Sequence, residues 1–386
     1  MKKTVLFAVM ALAAWSKESC AQSDLNAISV NAIGGLKTFS TYTKALQGTC
    51  NGIEVGYLVS MEHNDADWVT MLNVQSVAVK ASYENLQGIS YVHTPSSRGI
   101  FGSSYSVIAE LNIPIVTMDN IGIVFSPGAG LEYTSKDFYN TQNRNSVISS
   151  PLNFKMGGEV KCFVASRNGI SPFIGFRGYH RSISAALNPN CGLNDVGLIF
   201  GFTKPINIVG PHNHPQQRID AENSFEFSFG VAERGVTTTG YFINQRTGEG
   251  MYSNGLQNMR AGIFQYIGSV GYERKLNAVL GLTAGSDIIV HDRVFDWNNF
   301  FGTYIGTTSS YDRVNVGGSA GIDIWLGHRL SLTGSYGYYF LGHFVYSNAH
   351  TYAKVGFNYF VNDWMAVGIK SYLGDYLNAG VTFRVH

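Results

Sequence analysis

From about residue 100 to the C-terminus, apolar and small polar side chains alternate with a period of two. Successive side chains of a β-strand point to opposite faces, so each such stretch predicts a strand with one apolar and one polar face. Leu377, Ala379, Val381, Phe383 and Val385 share one face, and Asn378, Gly380, Thr382 and Arg384 the other. Residues 351–361 place Ala353, Val355, Phe357, Tyr359 and Val361 against Lys354, Gly356 and Asn358. Residues 314–326 repeat the pattern, with Val314, Val316, Ala320, Ile322, Ile324 and Leu326 against Asn315, Gly317, Ser319 and Asp323.

The polar faces select the architecture. The outer faces of a soluble sandwich carry many Lys and Glu, whereas these carry Gly, Asn, Ser and Thr with an occasional charge. That suits the lumen of a transmembrane barrel whose other face meets lipid, and a closed barrel pairs every backbone N–H and C=O without an open edge. Only 14% of the 386 residues are charged, while Gly (44) and Tyr (22) are plentiful. So many aromatics with so little net charge exclude disorder. The one long apolar run lies at the N-terminus and is too short to span a bilayer. Trp364, Tyr372, Tyr376, Tyr338 and Tyr339 fall near strand ends, as interfacial girdles do.

Turn lengths support the same fold. Tight connections near 118–120, 167–169, 273–275, 327–329 and 361–363 alternate with long ones at 135–149, 239–257, 291–313 and 342–350. Short periplasmic turns and long extracellular loops alternate in this way. Two connections break the pattern: 209–223 is long on the short side, and 374–376 is short on the long side. Thirteen strands follow residue 100, and 51–61 and 71–83 are read as strands before it. The expectation is an all-β, antiparallel up-and-down transmembrane barrel of about 14 strands, within a range of 12–16, as one domain over residues 22–386.

Residues 1–21 are expected to be a signal peptide. Met1-Lys2-Lys3 is basic, residues 4–15 are mostly apolar, and Ser19-Cys20-Ala21 places small residues at the cleavage positions. Cleavage leaves 24 basic against 25 acidic residues, and this balance gives no electrostatic footprint for nucleic acid. Cys50, Cys162 and Cys191 remain, an odd number that argues against a disulfide framework, with a Cys162–Cys191 pair left open for an oxidising compartment. His212 and His214 stand two apart in a Gly- and Pro-bounded stretch read as a solvated loop. No metal and no cofactor are expected.

One segment, residues 178–194, carries possible chemistry. His180 and Ser182 share parity with Ile174 and Phe176, and Asn194 shares parity with Val196, Leu198, Phe200 and Phe202. All three are therefore expected on the lipid-facing side, near the extracellular end of one hairpin. Polar groups on such a face are costly unless they lie at the interface or perform a function. A Ser, a His base and a third group that orients the His form the nucleophile constellation of acyl transfer, and Asn serves as the orienting group in papain-like proteases.

The same segment resembles the lipid A 3-O-deacylase (PagL-like) family, which includes Bacteroidetes-type acyloxyacyl hydrolases. His180 and Ser182 match the His-x-Ser of the family motif, and Pro189-Asn190-Cys191-Gly192 matches its Pro-Asn-x-Gly. Ile183 and Ser184 stand where the motif has Asn and Gly. Residues 52–57, 128–136, 143–149 and 368–377 are similar to further stretches of the family. The resemblance implies an outer-membrane esterase acting on acyl chains of lipid A in lipopolysaccharide, as a monomer or homodimer among outer-membrane lipids. It gives Ser182 the nucleophile's role and His180 that of general base. Asn194 falls at the position of the family's acid, and Asn190 would help hold the oxyanion. The alternative is a non-catalytic relative, either a porin-like channel or a surface-binding barrel.

Overall fold

The computed structural model describes residues 26–40, 46–61, 64–92, 97–118, 121–138, 141, 145, 147–164, 169–183, 192–206, 222–236, 241–243, 250–252, 261–292, 295–296, 303–304, 313–342, 350–372 and 376–386. These residues build two closed antiparallel barrels of eight strands each. The first contains β1 (Ala27–Phe39), β2 (Asn51–Ser60), β3 (Ser76–Asn85), β4 (Ser103–Met118), β5 (Ile121–Thr134), β6 (Leu152–Val164), β7 (Ser171–Ser182) and β8 (Leu193–Pro205). Its ring closes because β1 pairs with both β2 and β8. The second contains β9 (Asn223–Val236), β10 (Ala261–Lys275), β11 (Leu280–His291), β12 (Val314–Trp325), β13 (Leu330–Leu341), β14 (Thr351–Asn362), β15 (Met365–Tyr372) and β16 (Tyr376–Val385). Its ring closes through β9 and β16.

The single barrel of about fourteen strands is thus corrected to two barrels, which form separate compact units. The thirteen strands expected after residue 100 are β4 to β16. β1 is the strand that the alternation did not bring out. The strand expected from residue 71 starts at Ser76, because Asp67–Met71 forms a short helix. That helix packs Val69 with Ala66, Val74 and the partly buried Trp68 and Leu111. The connection that broke the turn alternation, 209–223, lies between the last strand of the first barrel and the first strand of the second. Residues 1–21, with the expected signal peptide, lie outside the described residues, as do His212 and His214.

Parity holds in both barrels. In the first, Ile53, Val55, Val107, Phe125, Phe176 and Phe200 are outward and exposed. In the second, Phe227, Phe229, Val270, Ile288, Tyr336 and Phe340 are their counterparts. Continuous exposed apolar surface of this kind belongs in lipid.

The interiors depart from the expected weakly charged lumen. An eight-stranded barrel is just wide enough for side chains to fill it, and the first barrel is filled with ion pairs. Lys80 lies 2.6 Å from Glu159, 2.8 Å from Glu110 and 3.0 Å from Glu54. Glu84 receives Lys155, Arg177 at 2.9 Å and Arg181 at 3.0 Å. Lys161 approaches Glu159 at 3.3 Å, and the Tyr179 hydroxyl donates to Glu110 at 2.6 Å. All of these groups are buried. Taking an ion out of water costs several kcal/mol, and close partners offset that cost only when the geometry is good. The charged side chains occupy the space that a wider single barrel would have left for a water path.

The second barrel holds polar clusters built on Asp287 and on Arg384. Asp287 accepts from Lys354 at 2.8 Å, Ser269 at 2.7 Å and Ser319 at 3.3 Å, and also from Tyr352. Arg384 bridges Glu226 at 2.6 Å and Glu273 at 2.9 Å, and Trp325 donates to Glu273 at 2.6 Å. A cavity of about 80 Å³ is lined by residues that include Glu226, Asp287, Asp323, Lys354 and Lys370.

At the end of the first barrel that carries connections 40–50, 86–102 and 135–151, described residues of these connections bury an apolar cap with the start of β8. It contains Leu46, Cys50, Leu86, Ile89, Tyr91, Phe101, Val147, Ile148 and Leu193. Burial, reinforced by the nearby Asp195 and Glu84 charges, pushes the Cys50 thiol up to about 12. Because the thiolate is the reactive form, iodoacetamide at about pH 8 is expected to spare Cys50 in the folded protein and alkylate it after denaturation. Mass mapping of the Cys50 peptide checks this; alkylation of the folded protein would show an open cap.

Candidate active site

The site lies at the capped end of β7 and β8. Along β7, Arg177, Tyr179 and Arg181 turn into the lumen and are buried, so Ile174, Phe176, Gly178, His180 and Ser182 face outward. Along β8, Asp195 and Ile199 are inward, while Asn194, Val196, Phe200 and Phe202 are outward. The parity expected for His180, Ser182 and Asn194 therefore holds, and all three are half-buried at the upper end of an apolar outer face.

Register brings two of them together. His180 and Asn194 are cross-strand partners, and His180 Nδ1 lies 2.9 Å from Asn194 Oδ1. Asn194 Nδ2 donates to the Phe39 carbonyl at 3.4 Å, which turns Oδ1 toward the imidazole. An amide oxygen only accepts, so Nδ1 carries the proton and Nε2 is the ring's acceptor in the neutral form. That is the tautomer a general base needs. Ser182 stands two residues further along the same outward face of β7, opposite Phe154 of β6. Asn190, Ser184 and Cys191 lie outside the described residues. Cys162 is a free thiol paired in register with Ile174, eight residues along β7 from Ser182.

Gly192 was visible only as a motif position, but it has a structural reason. Its φ is +66°, a conformation that favours glycine. A Cβ there would lie 2.7 Å from His180 Cε1, so the ring packs directly against the Gly192 backbone.

The carboxylate next to the site is not part of it. Asp195 points into the lumen, where Arg181 hydrogen-bonds it and also reaches Glu84 at 3.0 Å. Cys50, Glu84 and Asp195 bring their potential ligand atoms within 4.8 Å of one another. The Arg181 guanidinium already supplies the positive charge there, so this group does not fit a metal ion.

Residues 226–386 match the family model described as acyloxyacyl hydrolase, C-terminal domain. The matched stretch lies in the second barrel and spans less than half of the chain. His180, Ser182 and Asn194 precede the matched residues. Similar solved structures include the outer membrane enzyme PagL, 18% identical, covering 46% of this chain and 99% of that one, with a TM-score of 0.27. The siderophore receptor PirA from Pseudomonas aeruginosa is 12% identical, covering 94% and 80%, with a TM-score of 0.20. OccAB1 from Acinetobacter baumannii is 9% identical, covering 97% and 98%, with a TM-score of 0.24. No curated protein matches the chain.

Proposed function

We propose that this protein is a member of the acyloxyacyl hydrolase family and an outer-membrane esterase that removes an ester-linked acyl chain from lipid A. The observation that carries this reading is the His180–Asn194 pair on a lipid-facing surface, with Ser182 on the same face of β7. A core histidine has no reason to face lipid, whereas an acyl chain in the outer leaflet reaches this face without leaving the membrane.

In the proposed reaction, Ser182 Oγ attacks the ester carbonyl carbon while its proton passes to His180 Nε2. The tetrahedral intermediate collapses, the C–O bond to the sugar breaks, and the sugar oxygen takes that proton. Water, activated by the same histidine, then hydrolyses the acyl-serine and releases a fatty acid. Asn194 holds the imidazole in the required tautomer, and Asn190 is assigned to the oxyanion. Export with removal of residues 1–21 and residence in the outer membrane belong to the same proposal.

The test compares the mass of lipid A from cells with and without the protein. Loss of one acyl chain is expected, and an unchanged mass in the presence of folded protein would sink the proposal. Asn194 also supplies a graded check. A carboxylate would stabilise the imidazolium that forms, because charge-assisted hydrogen bonds are roughly twice as strong as neutral ones. Asn194→Asp is expected to raise kcat/KM about tenfold, which corresponds to about 1.4 kcal/mol. Measuring fatty-acid release against the parent enzyme decides this, and a fall in rate would count against the orienting role.

A further inference from the structure

We propose that Gly192 and Asn145 are positioning residues for His180, an inference that rests on the esterase reading above. The imidazole is held from two directions. Asn194 Oδ1 meets Nδ1 at 2.9 Å, and the Gly192 backbone lies across Cε1, where even a methyl group would stand at 2.7 Å. This close approach requires the absence of a Cβ, and the φ of +66° favours glycine for a second reason.

Gly192 is itself held by the cap. Its N–H donates to the Val147 carbonyl at 3.1 Å, and Val147 is fully buried. Asn145 folds the segment that presents this carbonyl. It is completely buried, its Oδ1 accepts from the N–H groups of Val147 at 3.2 Å and Ile148 at 3.1 Å, and its Nδ2 donates to the carbonyls of Lys136 at 3.2 Å and Ile100 at 3.4 Å. All four bonds go to backbone, as in a side chain that substitutes for regular secondary structure. Support runs from Asn145 through Val147 and Gly192 to the ring of His180. The cap over the lumen thereby sets the orientation of a base on the outer face.

The test uses the full chain folded in detergent, with three readouts: kcat and KM for ester hydrolysis, the rate at which an alkyl fluorophosphonate labels Ser182, and the imidazole ¹⁵N resonances of His180. Gly192→Ala is expected to lower kcat and the labelling rate about 100-fold, the scale of a misplacement near 1 Å, with KM within about threefold. The ¹⁵N signals should move from the Nδ1-protonated tautomer toward an averaged pair. Asn145→Asp keeps the acceptor and loses both donors, and is expected to lower kcat about tenfold, with the same direction of change in the resonances. Folded Gly192→Ala protein with parental kcat and parental resonances overturns the proposal. If that variant gives no heat-modifiable band on a gel, Asn145→Asp carries the test, and parental kcat and resonances in it overturn the proposal. Ser182→Ala separates the two ideas. Undiminished hydrolysis in Ser182→Ala removes Ser182 from the mechanism, and no hydrolysis by the folded parent protein defeats the esterase reading, while the His180 resonances still report whether Gly192 clamps the ring.

Discussion

Ser182→Ala is expected to reduce fatty-acid release from lipopolysaccharide by about 10⁴-fold or more, while the barrel remains folded. The oxygen lost is the one that forms the acyl-enzyme, so no other group in the proposed mechanism replaces it. His180→Ala should cost a similar factor, because without a base the serine hydroxyl is a weak nucleophile. The double variant should be no slower than either single one, since residues that act as a unit are strongly non-additive. Stability should barely change, because Ser182 lies half-buried at the end of β7 and outside the ion-paired lumen. Initial rates of fatty-acid release, with heat-modifiable gel mobility as the folding control, provide the measurement. Parental rates in Ser182→Ala would remove this serine from the mechanism. Additive losses in the double variant would mean that His180 and Ser182 do not work together.

The candidate site was legible because its determinants are local. Parity alone puts His180 and Ser182 on the same side as Phe176, and a count along β8 puts Asn194 with Val196. The strand count after residue 100 was legible for the same reason. What local pattern does not contain is the identity of each strand's partner. β1 must meet β8, which follows it by more than 150 residues, for the first ring to close, and nothing within β8 says that it turns back to β1 rather than onward to β9. The one local trace was the irregular 209–223 connection.

The charged lumen was hidden in the same way. Lys155, Glu159 and Lys161 share a face of β6, which the period of two reveals, but Lys155 meets Glu84 across 71 residues and Lys161 meets Glu110 across 51. Gly192 belongs to a third kind. Its requirement comes from contact with a ring on the neighbouring strand, so in the sequence it shows only as a motif letter.

Glu84→Ala is expected to destabilise the first barrel by about 3–5 kcal/mol, the cost of leaving buried charge uncompensated. Glu84 is fully buried and accepts from Lys155, Arg177 and Arg181. Its removal leaves those three cations with Glu132 and Asp195 as their anionic partners among the described residues. Urea unfolding of the protein in lipid vesicles, followed by gel mobility, should show a clearly lower midpoint. A parental midpoint would mean that the lumen charges relax or admit water instead of depending on one another.

On the proposed esterase reading, the same variant should also slow hydrolysis, because the two faces of this hairpin share a backbone. Arg181 lies between His180 and Ser182 in β7, and Asp195 follows Asn194 in β8. Inside the barrel Arg181 binds Asp195; outside, His180 binds Asn194. The inner pair holds the two strands in the register on which the outer pair depends. Loosening Arg181 should therefore lower kcat about tenfold or more, with a smaller effect on KM. Lys80→Ala removes a buried charge whose ion-pair partners among the described residues are Glu54, Glu110 and Glu159, none of which lies on β7 or β8. It should give a comparable loss of stability with a much smaller change in kcat. If both variants slow hydrolysis equally, the effect is one of general stability, and the inner Arg181–Asp195 pair has no special hold on the proposed site.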